Sequence, residues 1–192
     1  PLGAHKTQTM HSYHDQTSNR FRLPNHPHRI SALVPSLTEL LFDLGLDQEI
    51  VGVTRYCIHP QEKLASRVKV GGIHQIDFKA IDALHPDLII ANKEENNRQE
   101  ILHLQEKYPV YVSDIYTLED ALGMIADLGK LTNRGETASK LIAEIAEGFS
   151  HLQPAQSSKV AYLIWKNPFH AAGGNTFIHD LLKRSGFINI FE

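Results

Sequence analysis

The chain places four short apolar runs, Ile30 to Val34, Ile50 to Val53, Leu88 to Ala91 and Val110 to Ser113, between segments of helical character. That alternation leaves few folds open. A run of four or five apolar residues without polar alternation suits a strand buried on both faces. Parallel strands need a crossover, and intervening helices supply it. The expectation is an α/β fold with a parallel sheet covered on both faces, followed by a different kind of region after Thr117.

Local signals refine this reading. Pro35 breaks the first run, Ser36 and Glu39 make a capping-box pattern that opens a helix, and Gly45 stops it. A helix around Phe78 to Leu84 ends before Pro86, and a polar helix spans roughly Arg98 to Lys107. From Thr117 to about Leu152 the chain reads as helical, with a break at Thr132 to Gly135. Ala138, Leu141, Ile142, Ile145, Phe149 and Leu152 form one apolar stripe there. Pro154 and the Ser157-Ser158 pair read as a linker. Beyond it come a strand over Val160 to Trp165, a helix over Thr176 to Lys183 ended by Gly186, and the start of another strand over Phe187 to Phe191. Residues 1–28 hold His5, His11, His14, His26 and His28 among polar residues, and read as a solvated, irregular lead-in with metal binding as the alternative.

Bulk properties exclude several function classes. A formal charge of -3, with 21% charged residues, favours neither nucleic acid nor anionic membrane. No apolar run approaches the ~20 residues of a membrane span. The single cysteine, Cys57, excludes an internal disulfide and a multi-cysteine zinc site. The first residue is Pro1 rather than Met, which leaves two readings open: a processed chain from which a signal was removed, or a native start at Met10, which would favour the cytoplasm. There is no glycine-rich phosphate loop, no G-x-S-x-G and no H-E-x-x-H, so no enzyme is expected. The GGNT turn near Gly173 precedes a helix and is too short to carry a phosphate site by itself.

Four segments together resemble one family. They are RISALVPSLTELLFDLGL, IVGVTRYCIHP, VGGIHQIDFKAIDALHPDLIIANKEEN and VAYLIWKNPFHAAGGNTFIHDLLKRSGFINIF, spanning most of the chain from about Asp15. In order and spacing they are similar to the helical-backbone periplasmic binding proteins of iron-siderophore and cobalamin ABC transporters. The resemblance implies a Rossmann-like parallel-sheet N-terminal lobe over 29–116, a helical spine region over 117–153 and a second α/β lobe beginning at 159–192. In the family that lobe continues past the position of Glu192, so an incomplete lobe is expected. The implied role is a non-enzymatic, periplasmic or membrane-associated receptor that hands a metal chelate to a permease. A cytosolic metal-receptor-like protein uncoupled from any transporter is the alternative. An incomplete lobe also implies exposed apolar surface and a possible homodimer.

Ligands of open parallel sheets sit beyond the carboxyl ends of the strands. That rule selects the loops at Pro35-Ser36, Thr54 to His59, Gly71 to Gln75 and Asn92 to Asn97. The candidate ligand contacts are Ser36, Tyr56, His59, His74, Asn92, Glu94, Glu95, Asn96 and Trp165, with Phe169 and His170 behind them. By the resemblance, Tyr56 matches an aromatic position of the cobalamin receptors. Ile73 and Asn92 stand where those receptors carry tryptophans, which points to a chelate other than cobalamin. Lys79 stands where transporter-coupled members present a glutamate to the permease, and the reversed charge opposes that contact. Cys57, His59 and His74 are the candidates for direct metal ligation. No intrinsic cofactor is expected; a bound iron chelate or corrinoid is.

Overall fold

The computed structural model describes residues 10–153 and 158–192. The expected lead-in residue His5, and the expected linker residues Pro154 and Ser157, lie outside the described residues. The described residues form two compact units, 10–114 with 131–134, and 115–130 with 135–153 and 158–192. Most of the helical stretch groups with the C-terminal residues, and residues 131–134 group with the first unit.

The first unit contains β1 (His11–His14), β2 (Arg20–Leu23), β3 (Ile30–Ala32), α1 (Pro35–Asp43), β4 (Ile50–Val53) and α2 (Gln61–Leu64). It continues with β5 (Val68–Lys69), α3 (Phe78–Leu84), β6 (Leu88–Asn92), α4 (Arg98–Gln105) and β7 (Val110–Ser113). Five strands make one sheet in the order β5-β4-β3-β6-β7, and every neighbouring pair is parallel. β3 and β6 are central, and Ile30, Leu88, Ile89 and Ile90 are fully buried. Strand residues alternate between faces. Ile89, Ala91, Val110 and Val112 therefore present one face, where they pack with Ile81 of α3 and with Ile101 and Leu104 of α4.

Two local expectations change. The first strand ends at Ala32, and the chain turns directly into α1 with Val34 as N-cap and no side-chain cap. Pro35 occupies the first turn, where its missing N–H costs nothing and its φ is already helical. Ser36 thus lies inside the helix, and the expected capping box does not form. At the other end the expectation holds. Gly45, at φ +77, donates its N–H to Phe42 O, and Leu46 donates to Leu41 O, the paired bonds of a Schellman stop.

Residues 10–28 are not wholly irregular. β1 and β2 pair antiparallel, with Phe21 and Leu23 buried and the Tyr13 and Phe21 rings stacked. The turn between them holds against β7, the edge of the sheet. Asp15 is buried; its Oδ1 accepts N–H bonds from Thr17 and Asn19 and a hydroxyl bond from Thr17, while Oδ2 accepts from Val112 N–H at 3.0 Å. Gln16 accepts from Asp114 N–H and Asn19 donates to Val110 O. Side chains thereby satisfy backbone groups that an open edge would leave exposed.

The second unit begins with α5 (Leu118–Leu131) and α6 (Gly135–Ser150), the latter being the helix expected to end near Leu152. On its stripe Ala138 is buried and Leu141, Ile142, Ile145 and Phe149 are half-buried. The single strand expected over Val160 to Trp165 is two pieces. β8 (Lys159–Val160) pairs parallel with β11 (Ile188–Asn189), and β9 (Leu163–Trp165) pairs antiparallel with β10 (His170–Ala171). Between them α7 (Phe177–Arg184) starts at Thr176, whose hydroxyl accepts from His179 N–H. GGNT is thus the approach to that cap. Asp180 of α7 accepts from Leu118 N–H at 2.9 Å and from Arg184 Nε at 2.7 Å, tying α7 to the start of α5.

Candidate functional site

Because the five strands run the same way, their carboxyl ends open on one edge of the first unit. The four expected loops leave that edge. After β3 comes the short passage into α1, where Ser36 is exposed.

After β4 the loop turns on a bond from Cys57 N–H to Thr54 O and is tied to the next loop by Arg55 N–H to Gly71 O, 2.9 Å. Tyr56 is 52% exposed, with the Arg55 guanidinium 5.5 Å from its ring centroid. His59 is exposed and precedes a cis peptide to Pro60. Cys57 points the other way. It is buried, with its Sγ 3.3 Å from Thr38 Oγ1 and 3.4 Å from Thr54 Oγ1. A small, weakly polar side chain between two hydroxyls is core packing.

After β5, Gly71 has φ +98, and a Cβ there would meet Gln75 O at 2.3 Å. Only glycine fits that turn. It closes with Gly72 N–H donating to Gln75 O and leaves His74 exposed. Among the described residues no group of three or more His, Cys, Asp or Glu side chains is placed to hold a metal ion. Cys57, His59 and His74, the candidates for direct ligation, do not come together in such a group.

The loop after β6 is held by side-chain hydrogen bonds to backbone groups. Asn92 accepts at Oδ1 from the N–H groups of Glu94 and Glu95, and donates from Nδ2 to Ser113 Oγ at 3.1 Å. Asn96 is buried; its Oδ1 accepts from Asn92 N–H at 2.9 Å, and its Nδ2 donates to Leu33 O at 3.2 Å and Ile73 O at 3.1 Å. Both asparagines spend their polar atoms inside the protein. Glu94 is exposed and Glu95 half-buried. Burial raises the Glu95 pKa above its ordinary value, the neighbouring charge of Glu94 raises it further, and His74 opposes both.

A folded pKa above the unfolded one means that ionisation of Glu95 works against the fold. The stability it contributes is complete below the unfolded pKa and is lost as pH rises through the folded one. Glu95→Gln should therefore melt above wild type at pH 7, with the difference closing near pH ~4, below the ordinary glutamate pKa. A difference independent of pH would contradict this.

Beyond the ends of β6 and β7 lies an open depression of about 820 Å³. Thr17 and Ser18 of the hairpin turn, Lys93, Arg98, Leu102 and Asp114 line it, and Lys93 pairs with Asp114 at 2.6 Å. Lys93 lies in the expected loop Asn92 to Asn97, whose Asn92 and Asn96 also line the depression; Thr17, Ser18, Arg98, Leu102 and Asp114 were not expected at the site. The D-x-T-x-N spacing of Asp15, Thr17 and Asn19 is the sequence signal that marks the turn, since such side chains bond their own backbone. Trp165 belongs to the second unit. It is 64% exposed, its indole N–H donating to Asn167 O, with Phe169 and His170 exposed nearby in sequence.

The sequence profile of the periplasmic binding protein family matches residues 30–192. A vitamin B12-binding protein of Vibrio campbellii is 28% identical over 169 residues, covering 85% of this chain and 61% of its own length. The chain thus spans about three fifths of that relative. The crystal structure of the periplasmic vitamin B12 binding protein of Vibrio cholerae superposes with a TM-score of 0.75 at 25% identity, over 88% of this chain and 68% of that one. A periplasmic heme binding protein from Pseudomonas aeruginosa shares the fold, with a TM-score of 0.74 at 24% identity, over 85% of this chain and 62% of that one.

Proposed function

The chain belongs to the periplasmic binding protein family, and from that membership we propose that it is the substrate-binding protein for a metal chelate or corrinoid, an iron-siderophore, haem or cobalamin-like compound, delivered to an ABC transporter. The match over residues 30–192 carries the reading. The loops at the carboxyl edge of the sheet support it. Tyr56 offers a large exposed aromatic face, and aromatic faces suit flat macrocycles and catechol rings. His59, His74 and Glu95, on the same set of loops, are the polar groups offered to the ligand. By the resemblance, Ile73 and Asn92 stand where cobalamin receptors carry tryptophans, which favours a chelate other than cobalamin.

Binding rather than turnover is the role, as for the relatives named above, and a periplasmic site of action goes with it. Among the described residues no helix is long and apolar enough to cross a membrane. Lys79 is exposed on α3, so a permease that meets this face would need an acidic partner there. Tyr162, Leu163, Trp165, Phe169 and Phe191 are exposed apolar residues of the second unit, and self-association through them is part of the proposal.

Thermal unfolding with haemin, a ferric catecholate siderophore or cyanocobalamin tests the reading. A ligand that binds only the native state stabilises it by mass action, about 2.7 kcal/mol at about 100-fold excess over Kd. A raised midpoint with one of the three is expected; unchanged midpoints with all three would contradict it.

A further inference from the structure

The Asn96 side chain meets backbone groups on three separate segments of the chain. It accepts from Asn92 N–H, donates to Leu33 O and donates to Ile73 O, at 2.9, 3.2 and 3.1 Å. Those groups belong to three of the four loops on the carboxyl edge. A carboxamide has two N–H donors and one carbonyl, and here every one is used. Asn92 extends the linkage through Ser113 Oγ to the end of β7.

We propose that Asn96 is a positioning residue: it fixes the spacing of the loops at Leu33, Ile73 and Asn92, so that contacts on different loops reach one ligand already in register. This rests on the ligand-binding reading above. A rigid rim lowers the ordering cost of binding, which is where preorganisation raises affinity. Asn96 would then act without touching the ligand, although its place in the polar run at Asn92 to Asn97 makes it look like a direct contact.

Asn96→Asp keeps the shape and the acceptor for Asn92 N–H, but replaces the two donors with an oxygen facing the carbonyls of Leu33 and Ile73. Ionised, it repels both; protonated, it donates to one. Because the folded state disfavours the charge, its pKa is raised, and the linkage is lost as pH rises through that value. Asn96→Ser carries no charge and cannot reach both carbonyls.

The readout is amide hydrogen exchange of residues 71–76, with Ile89 and Ile90 in β6 as the reference for global opening. In Asn96→Asp at pH 7 the loop amides should lose protection by about tenfold or more while β6 keeps its own, with recovery as pH falls. Asn96→Ser should show the same loop loss without the recovery. Unchanged loop protection, or equal loss in β6, would overturn the proposal. With haemin as probe, Asn96→Asp should bind more weakly than wild type at pH 7 and regain affinity as pH falls, relative to wild type at each pH. Equal affinity throughout would overturn the link to binding. If wild type binds none of the three chelates, the ligand reading fails, while the exchange measurement still decides whether Asn96 sets the loops.

Discussion

Asp15→Ala is expected to destabilise the first unit by about 3 kcal/mol, the effect of removing a buried carboxylate that accepts charge-assisted hydrogen bonds and leaving a buried donor unpaired. The buried carboxylate accepts from Thr17, Asn19 and Val112. The Val112 N–H is the telling one, because β7 is an edge strand and that donor then has neither a strand nor water to meet. Asp15→Asn keeps one carbonyl oxygen, which can serve either the turn or Val112, so its loss should be about half as large. Urea unfolding followed by far-ultraviolet circular dichroism measures both. A change under about 1 kcal/mol for Asp15→Ala would show that the hairpin does not guard the edge.

Tyr56→Ala should weaken chelate binding by about thirtyfold, about 2 kcal/mol, the range of an aromatic hot spot. Its stability should stay within about 0.5 kcal/mol of wild type, as for exposed positions generally. Half of the ring is open to solvent, so the fold gains little from it. Tyr56→Phe separates ring from hydroxyl, since retention of affinity would assign the contact to the aromatic face. Equal binding by Tyr56→Ala and wild type would remove this loop from the site. Titration calorimetry with haemin or a ferric siderophore reads the difference directly.

The sheet is legible in the sequence because buried parallel strands write themselves as unbroken apolar runs, as Leu88 to Ala91 does. Helix ends are legible where a residue can do only one thing there, as at Gly45. Failures occur where the deciding partner is far along the chain. The β1–β2 hairpin has only Phe21 and Leu23 as buried apolar residues, and its anchor is the bond from Val112 to Asp15, 97 residues away. Ser36 and Glu39 have capping-box spacing, but Pro35 starts the helix two residues earlier than that pattern requires.

The loops of the candidate site follow from topology alone; the role of each residue on them does not. Cys57, Tyr56 and His59 are near neighbours in sequence, yet Cys57 turns inward to Thr38 while the other two face solvent. Asn92 and Asn96 look like solvated contacts in a polar run and are the internal ties of the rim. Polarity alone does not distinguish a side chain that waits for a ligand from one that holds its own backbone.

The most direct test of the central claim, that the loops on the carboxyl edge of the parallel sheet receive the ligand, is amide hydrogen exchange of the chain with and without saturating haemin or ferric catecholate siderophore. The account predicts added protection in residues 54–59, 71–75 and 92–97, with α2 and the amino ends of the strands unchanged. Protection confined to other segments, or none while the chelate is demonstrably bound, would contradict it.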